Sequence, residues 1–204
     1  KKKLKILSCS KNFTNVDVKN ILHPSELNSS WFNKTNLDDK IKTDFLYVGR
    51  FKKDKGAFYL VKIFKDYLKD YKLKIVGNDK VSISKKYFAK NIDYLSSISD
   101  SEELIKTYDS AKIFILPSFI EGFPKVISES LARLKPVIIF QEIEYVIHGR
   151  EGIFVCKREK KSLIDTINFI LKNYTNIQKK IEQNYFYTKE NFKKEFLASI
   201  KDEF

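Results

Sequence analysis

Short, almost fully apolar runs alternate along this chain with longer stretches whose apolar residues recur every three or four positions. Asp44-Phe45-Leu46-Tyr47-Val48, Leu73-Lys74-Ile75-Val76, Ile113-Phe114-Ile115-Leu116, Pro136-Val137-Ile138-Ile139-Phe140 and Ile153-Phe154-Val155-Cys156 are the short runs. They are too continuously apolar for a half-exposed sheet and predict strands covered on both faces. Phe58, Val61, Phe64, Tyr67, Leu68 and Tyr71 fall at helical spacing after Gly56. Ser101 to Tyr108 reads as a short capped helix, and Ser162 to Tyr174 as an amphipathic one through Leu163, Ile167, Ile170 and Leu171. Two final helices are predicted from Asn176 to Tyr185 and from Thr188 to Ile200. Strands alternating with helices predict an α/β fold, a Rossmann-like doubly wound parallel sheet with helices on both faces. The start of the chain differs. Lys5 to Cys9 and Ile21-Leu22-His23 suggest short strands, the second ended by Pro24, and Asn28 to Lys40 is polar, with Trp31 and Phe32 as anchors.

Glycines punctuate this pattern without interrupting a periodic segment. Gly49 and Gly77 end strands, Gly56 opens a helix, and Gly149 and Gly152 flank a turn. In a doubly wound sheet, ligands bind beyond the carboxyl ends of the strands. Gly49-Arg50, Gly77-Asn78 and Ser118 to Glu121 all fall at such ends, so three candidate loops converge before any chemistry is considered.

Composition narrows the classes. The 204 residues, 43% of them hydrophobic, suffice for one substantial domain with extra elements. No apolar run is long enough to cross a membrane as a helix, and the basic, then briefly apolar start does not form a signal peptide. Cys9 and Cys156 fit no metal or redox spacing and read as buried thiols of a reducing compartment. The net charge of +13 is carried almost wholly by lysine, with Arg50, Arg133, Arg150 and Arg158 the only arginines. That balance argues against nucleic acid as a partner, because base and backbone recognition favours arginine forks. It suits anionic small-molecule donors and anionic membrane surfaces, or simply reflects a lysine-rich coding bias.

The most informative stretch is Ser118-Phe119-Ile120-Glu121-Gly122-Phe123-Pro124-Lys125-Val126-Ile127-Ser128-Glu129. It follows an apolar strand and opens a helix, with Glu121 on the loop and Glu129 inside the helix. Between them lie a glycine, a proline suited to the first turn, and the unpaired N–H groups of a helix start. Such a layout holds an anion at the helix N-terminus and hydroxyls on either side, as in a ribose–diphosphate–hexose ligand. The second constellation is Gly49-Arg50-Phe51-Lys52-Lys53-Asp54-Lys55-Gly56. Its two end cations, Arg50 and Lys55, can neutralise a diphosphate, whereas Lys52 and Lys53 read as solvated.

Glu121 to Glu129 resembles the E-x7-E signature of retaining glycosyltransferases of family 4, the glycosyl transferases group 1. Leu116-Pro117-Ser118 and Glu121-Gly122-Phe123-Pro124 match its wording, and Gly49 to Gly56 is similar to its G-R-x4-K-G segment. Leu73 to Asn78 and the turn from Glu144 through His148-Gly149-Arg150-Glu151-Gly152 match more loosely. The resemblance covers about residues 43–174. It implies the C-terminal, donor-binding half of a GT-B fold: residues 1–40 as the end of an N-terminal domain and connector, 41–175 as the nucleotide-sugar domain, and 176–204 as helices returning toward that N-terminal domain. It implies Arg50 and Lys55 on the donor diphosphate and Glu121 on the transferred sugar. Gly122, Phe123 and Pro124 would line the sugar and phosphate pocket, Glu129 would meet the ribose, and Gly49 and Asn78 would sit on the donor side. The implied reaction transfers a glycosyl group from a nucleotide-diphosphate sugar to a glycan or lipid-linked acceptor with retention, in polysaccharide biosynthesis. The donor is a substrate; no cofactor and no metal are expected. A cytoplasmic enzyme, peripheral at the inner membrane face, is expected. So is a partner, either the absent acceptor domain or a separate subunit; the alternative is a non-catalytic nucleotide-sugar-binding subunit. Three departures bear on the donor loops: Phe140-Gln141 replace a glycine pair, Leu134 replaces a glycine, and Lys112 stands where an acidic residue is common. His23 and His148 read as structural.

Overall fold

A computed structural model describes residues 7–8, 20–21, 27–32, 41–77 and 83–201. Asn78, Cys9 and His23 lie outside the described residues. The order of elements is β1 (Leu7–Ser8), β2 (Asn20–Ile21), β3 (Thr43–Val48), α1 (Ala57–Asp66), β4 (Leu73–Val76), β5 (Ile92–Leu95), α2 (Ser101–Asp109), β6 (Ala111–Leu116), α3 (Lys125–Ala132), β7 (Val137–Phe140), β8 (Ile153–Cys156), α4 (Lys160–Lys172), α5 (Tyr174–Ile181) and α6 (Lys189–Lys201). β1 and β2 pair in parallel. The other strands form one parallel sheet in the order β5-β4-β3-β6-β7-β8.

Both faces of this sheet are covered. Successive strand residues point to opposite faces. Phe45 meets Phe64 of α1, with ring centroids 5.1 Å apart. Its neighbour Leu46 is in register with Phe114, which meets Tyr108 of α2 at 5.6 Å. α1 and α2 therefore pack on opposite sides, and the doubly wound expectation holds. β7 is buried along its whole length, as a central parallel strand requires.

The helix after Gly56 is shorter than its periodicity predicts. It ends at Asp66, where the amides of Tyr67 and Leu68 both bond the Ile63 carbonyl. The Asn91 side chain then donates to the carbonyls of Phe64, Leu68 and Tyr71. That clamp turns the chain so that Tyr71 packs on Phe45 as a tertiary contact. Strand β5 is not legible as an apolar run because it is an edge strand. Ile92 and Tyr94 are buried, whereas Asp93 and Leu95 face out. Near the C-terminus, α4 gives way to α5 across Asn173 alone, and Ile177 and Ile181 of α5 enter the core.

Residues 27–32 are fastened to the domain. Trp31 is buried and meets Tyr108 edge-on at 5.6 Å. Arg133 pairs with Asp109 through two bonds of 2.8 and 2.9 Å and donates a third to the Trp31 carbonyl. Lys135 Nζ reaches the Asp109 carbonyl at 3.2 Å. A buried guanidinium–carboxylate pair of this kind is tolerated because its geometry is bidentate and a further donor is bonded to a carbonyl. Leu134 has a φ of +57°, a left-handed conformation that favours glycine and costs a residue with a Cβ.

Candidate functional site

The sheet's strand order reverses between β3 and β6. β3 hands on to β4 on one side, and β6 begins the other half on its opposite side. This is the switch point where a doubly wound sheet opens a crevice at its carboxyl edge. The loops leaving β3 and β6 are stitched together there. A Cβ on Gly56, at φ +66°, would lie 1.8 Å from the Pro117 carbonyl oxygen. Only glycine permits that backbone-to-backbone approach. Next to it the Phe119 amide donates to the Asp54 carbonyl at 2.9 Å. A second glycine contact joins β3 to β4, where a Cβ on Gly77 would meet the Gly49 oxygen at 2.8 Å. Tyr47, whose hydroxyl is pushed well above its ordinary pKa chiefly by burial, donates to the Arg50 carbonyl and folds that turn back over the strand.

This stitching brings Lys55 and Glu121 together from positions far apart in sequence. Lys55 Nζ lies 2.8 Å from Glu121 Oε1, and Ser118 Oγ donates to the same oxygen at 2.6 Å. Both bonds fall on Oε1. Tyr145 fixes the Glu121 backbone from the other side. Its hydroxyl donates to the Glu121 carbonyl at 2.6 Å and accepts from the Glu121 amide at 3.1 Å. Arg50 is exposed on the loop that leaves β3. Gly122 and Phe123 are half-buried, and Pro124 is buried. Pro124 is the N-cap of α3 and not a residue of its first turn, and no side chain caps that helix start.

Glu129 occupies a different environment. It is 4% exposed, and Oε2 accepts from the fully buried Tyr108 hydroxyl at 2.7 Å. Burial, then the Glu129 charge, raise the Tyr108 pKa far above its usual value, so the phenol stays the donor. Lys125, one turn earlier, lies 3.6 Å from Oε1.

Sequence reasoning passed over Arg158, whose guanidinium bonds the loop that carries Glu121. The guanidinium lies 3.9 Å from the Phe119 ring centroid, 4.3 Å from Phe140 and 5.0 Å from Tyr59. It pairs with Glu142 at 2.7 Å and donates to the carbonyls of Pro117 and Ser118. Phe140 therefore presents its ring to the cation that holds the Glu121 loop. Ser118 and Tyr145 were legible only as parts of motif strings. Arg158 had one signal, its rarity in a lysine-rich chain. Among the described residues, no three His, Cys, Asp or Glu side chains are placed to hold a metal ion, and no helix is long and apolar enough to cross a membrane.

Comparison with known proteins agrees with this architecture. The chain is 28% identical over 138 residues to an uncharacterized glycosyltransferase of Haemophilus influenzae, covering 63% of this chain and 39% of the relative. It is 29% identical over 137 residues to the capsular polysaccharide biosynthesis glycosyltransferase CapM of Staphylococcus aureus, covering 62% and 36%. Over 203 residues it is 25% identical to a Campylobacter jejuni GalNAc-alpha-(1->4)-GalNAc-alpha-(1->3)-diNAcBac-PP-undecaprenol alpha-1,4-N-acetyl-D-galactosaminyltransferase, covering 91% and 53%. The chain thus spans about half, or less, of the length of these relatives. Among solved structures, sucrose-phosphate synthase from Thermosynechococcus elongatus superposes with a TM-score of 0.69 at 18% identity, over 91% of this chain and 53% of that one. Anabaena Alr3699/HepE, in complex with UDP and glucose, gives 0.67 at 15% identity over 89% and 56%. These likenesses establish the Rossmann-like fold of GT-B glycosyltransferases. Residues 29–186 match the model of the glycosyl transferases group 1, and the chain belongs to that family.

Proposed function

We propose that this chain supplies the donor site of a hexosyltransferase that uses a nucleotide-diphosphate sugar and retains anomeric configuration. The observation that carries the reading is the meeting of Lys55, Ser118 and Glu121 at the switch point, with Arg50 exposed on the same loop as Lys55. In the absence of a ligand, Lys55 and Glu121 neutralise one another. A donor separates their tasks: Lys55 and Arg50 turn to the diphosphate, and Glu121 Oε2 accepts from a sugar hydroxyl. Both cations then stabilise the charge that develops on the leaving nucleotide. The backbone at Gly122 and Phe123 lines the sugar and phosphate pocket, while Pro124 contributes shape without an N–H. Gly49 lies on the donor side. Glu129 receives the ribose hydroxyls through Oε1 once Lys125 moves aside. A donor phosphate oxygen takes the acceptor's proton, and the protein's contribution is positioning.

The acceptor is proposed to be a glycan or a lipid-linked glycan. The motive is the Campylobacter jejuni relative, which is named for a PP-undecaprenol substrate. A second domain, on this chain's full-length form or on a partner, would supply the acceptor side. The excess of lysine would hold the enzyme peripherally at an anionic membrane surface. Thermal-shift measurements with UDP-, GDP- and ADP-sugars test the donor reading. A true donor at one hundred times its Kd adds about 2.7 kcal/mol of stability. A folded chain that no nucleotide sugar stabilises contradicts it.

A further inference from the structure

A cavity of about 460 Å³ lies between α3, the crossover that precedes β8, and the chain that follows α5. Phe123, Ser128, His148, Arg150, Tyr185 and Tyr187 are among its lining residues, and Arg50, Lys55, Glu121 and Glu129 are not. Its walls are built. The Asn184 side chain clips the tail to the crossover, donating to the Glu151 carbonyl at 2.9 Å and accepting from the Glu151 amide at 2.8 Å. The Tyr185 hydroxyl accepts from Asn191, and the Tyr187 hydroxyl donates to Glu195. His148 and Gly149 are both left-handed, at φ +49° and +71°. For His148 that is a sparsely used conformation of the kind that concentrates at ligand sites. Its imidazole lies against Phe123 at 5.7 Å.

Arg150 is the cation of this cavity. It donates to Ser128 Oγ at 3.1 Å and to the carbonyls of Val146 and Ile147 at 2.6 and 3.1 Å. All three acceptors are neutral, and among the described residues no carboxylate pairs with it. Burial alone lowers its pKa to about 10, which leaves it charged at neutral pH. Of the five N–H groups of a guanidinium, these bonds engage three. Capping the carbonyl end of the 141–146 turn explains two of those bonds, but it explains neither the cavity nor the aromatic walls. A half-buried cation facing a cavity, with no carboxylate partner among the described residues, is a state that a bound anion relieves.

We propose that this cavity binds a phosphorylated sugar, with Arg150 on the phosphate and the rings of Phe123, Tyr185 and Tyr187 against the sugar. The volume suits a small glycan phosphate. The ligand is either the phosphate end of a lipid-linked glycan or a free sugar phosphate; the Arg150 contact is common to both. The proposal does not rest on the donor reading.

The test is calorimetric titration of the chain with hexose 1-phosphate and with hexose, using wild type, Arg150→Gln, Arg150→Lys, Tyr185→Ala and Lys55→Ala. Hexose 1-phosphate is expected to bind and hexose to give no heat. Arg150→Gln should weaken binding about tenfold or more, Arg150→Lys less so, and Tyr185→Ala severalfold. Lys55→Ala should leave it unchanged. Should Arg150→Gln not fold, Tyr185→Ala decides alone, because the residue is 68% exposed and supports no core. Absence of binding, or binding that Lys55→Ala removes and Arg150→Gln and Tyr185→Ala leave intact, overturns the proposal. A short-chain prenyl diphosphate sugar that binds more tightly than the free sugar phosphate assigns the site to the acceptor; the reverse order assigns it to a soluble sugar phosphate.

Discussion

Gly56→Ala is expected to damage fold and site together, because this glycine is where the loops leaving β3 and β6 touch. Its φ of +66° places an alanine in the left-handed region, at a cost of about 1–2 kcal/mol. The added Cβ would also lie 1.8 Å from the Pro117 carbonyl oxygen. Contacts of that kind need about 3 Å, so one backbone segment must move by roughly an ångström. Forced repacking of this sort typically costs about 1–3 kcal/mol. Together the two effects amount to about 2–5 kcal/mol, a large part of the stability of an ordinary domain. They correspond to a fall in Tm of about 4–20 °C for a chain of this length. The displaced segment leads directly into Ser118 and Glu121, so affinity for a nucleotide-diphosphate sugar should fall as well. Urea denaturation gives the first quantity and calorimetry the second. A Gly56→Ala protein with unchanged midpoint and unchanged donor affinity would refute the reasoning.

Tyr108→Phe removes the buried donor to Glu129 Oε2 and should cost about 1.5–3 kcal/mol, the range for hydrogen bonds to charged groups. In a double-mutant cycle with Glu129→Gln by urea denaturation, additive losses would contradict that coupling. Glu142 is held below the ordinary carboxyl pKa by its hydrogen bond to Arg158. Its contribution is therefore complete above the unfolded value and is lost as pH falls through the lowered folded one. The Tm gap between wild type and Glu142→Gln should close on acidification, and a gap that stays constant down to strongly acid pH would contradict the pairing. Arg158→Lys keeps the charge but loses the planar guanidinium that lies over Phe119 and Phe140. Donor KM should rise in both Arg158→Lys and Arg158→Ala, whereas full rescue by lysine would show that the planar group has no part in holding the loop.

The parallel sheet was legible because its central strands are buried on both faces and so carry unbroken apolar runs. Strand β5 was not, because only Ile92 and Tyr94 face the core and Asp93 breaks the run. The early end of α1 was equally hidden, since it depends on the Asn91 side chain, a contact made across sequence. At the site, Lys55 and Glu121 were each visible as members of motifs, but their direct pairing is a product of the Gly56–Pro117 approach. Arginine use is the general lesson. Arg133, Arg150 and Arg158 each make several bonds that depend on the planar fork. In a chain whose cations are nearly all lysine, the rare arginines mark positions that a point charge does not fill. That signal lies in the composition, but the partners that give it meaning are supplied only by the fold.

The central claim is that the loops leaving β3 and β6 form one diphosphate-binding site. Its most direct test is calorimetric titration of the nucleoside diphosphate and the matching nucleoside into wild type, Arg50→Ala and Lys55→Ala. The account predicts that each substitution weakens the diphosphate by about tenfold, as loss of a charge-assisted bond implies, and leaves the nucleoside affinity unchanged. Unchanged diphosphate affinity in both folded variants would contradict it.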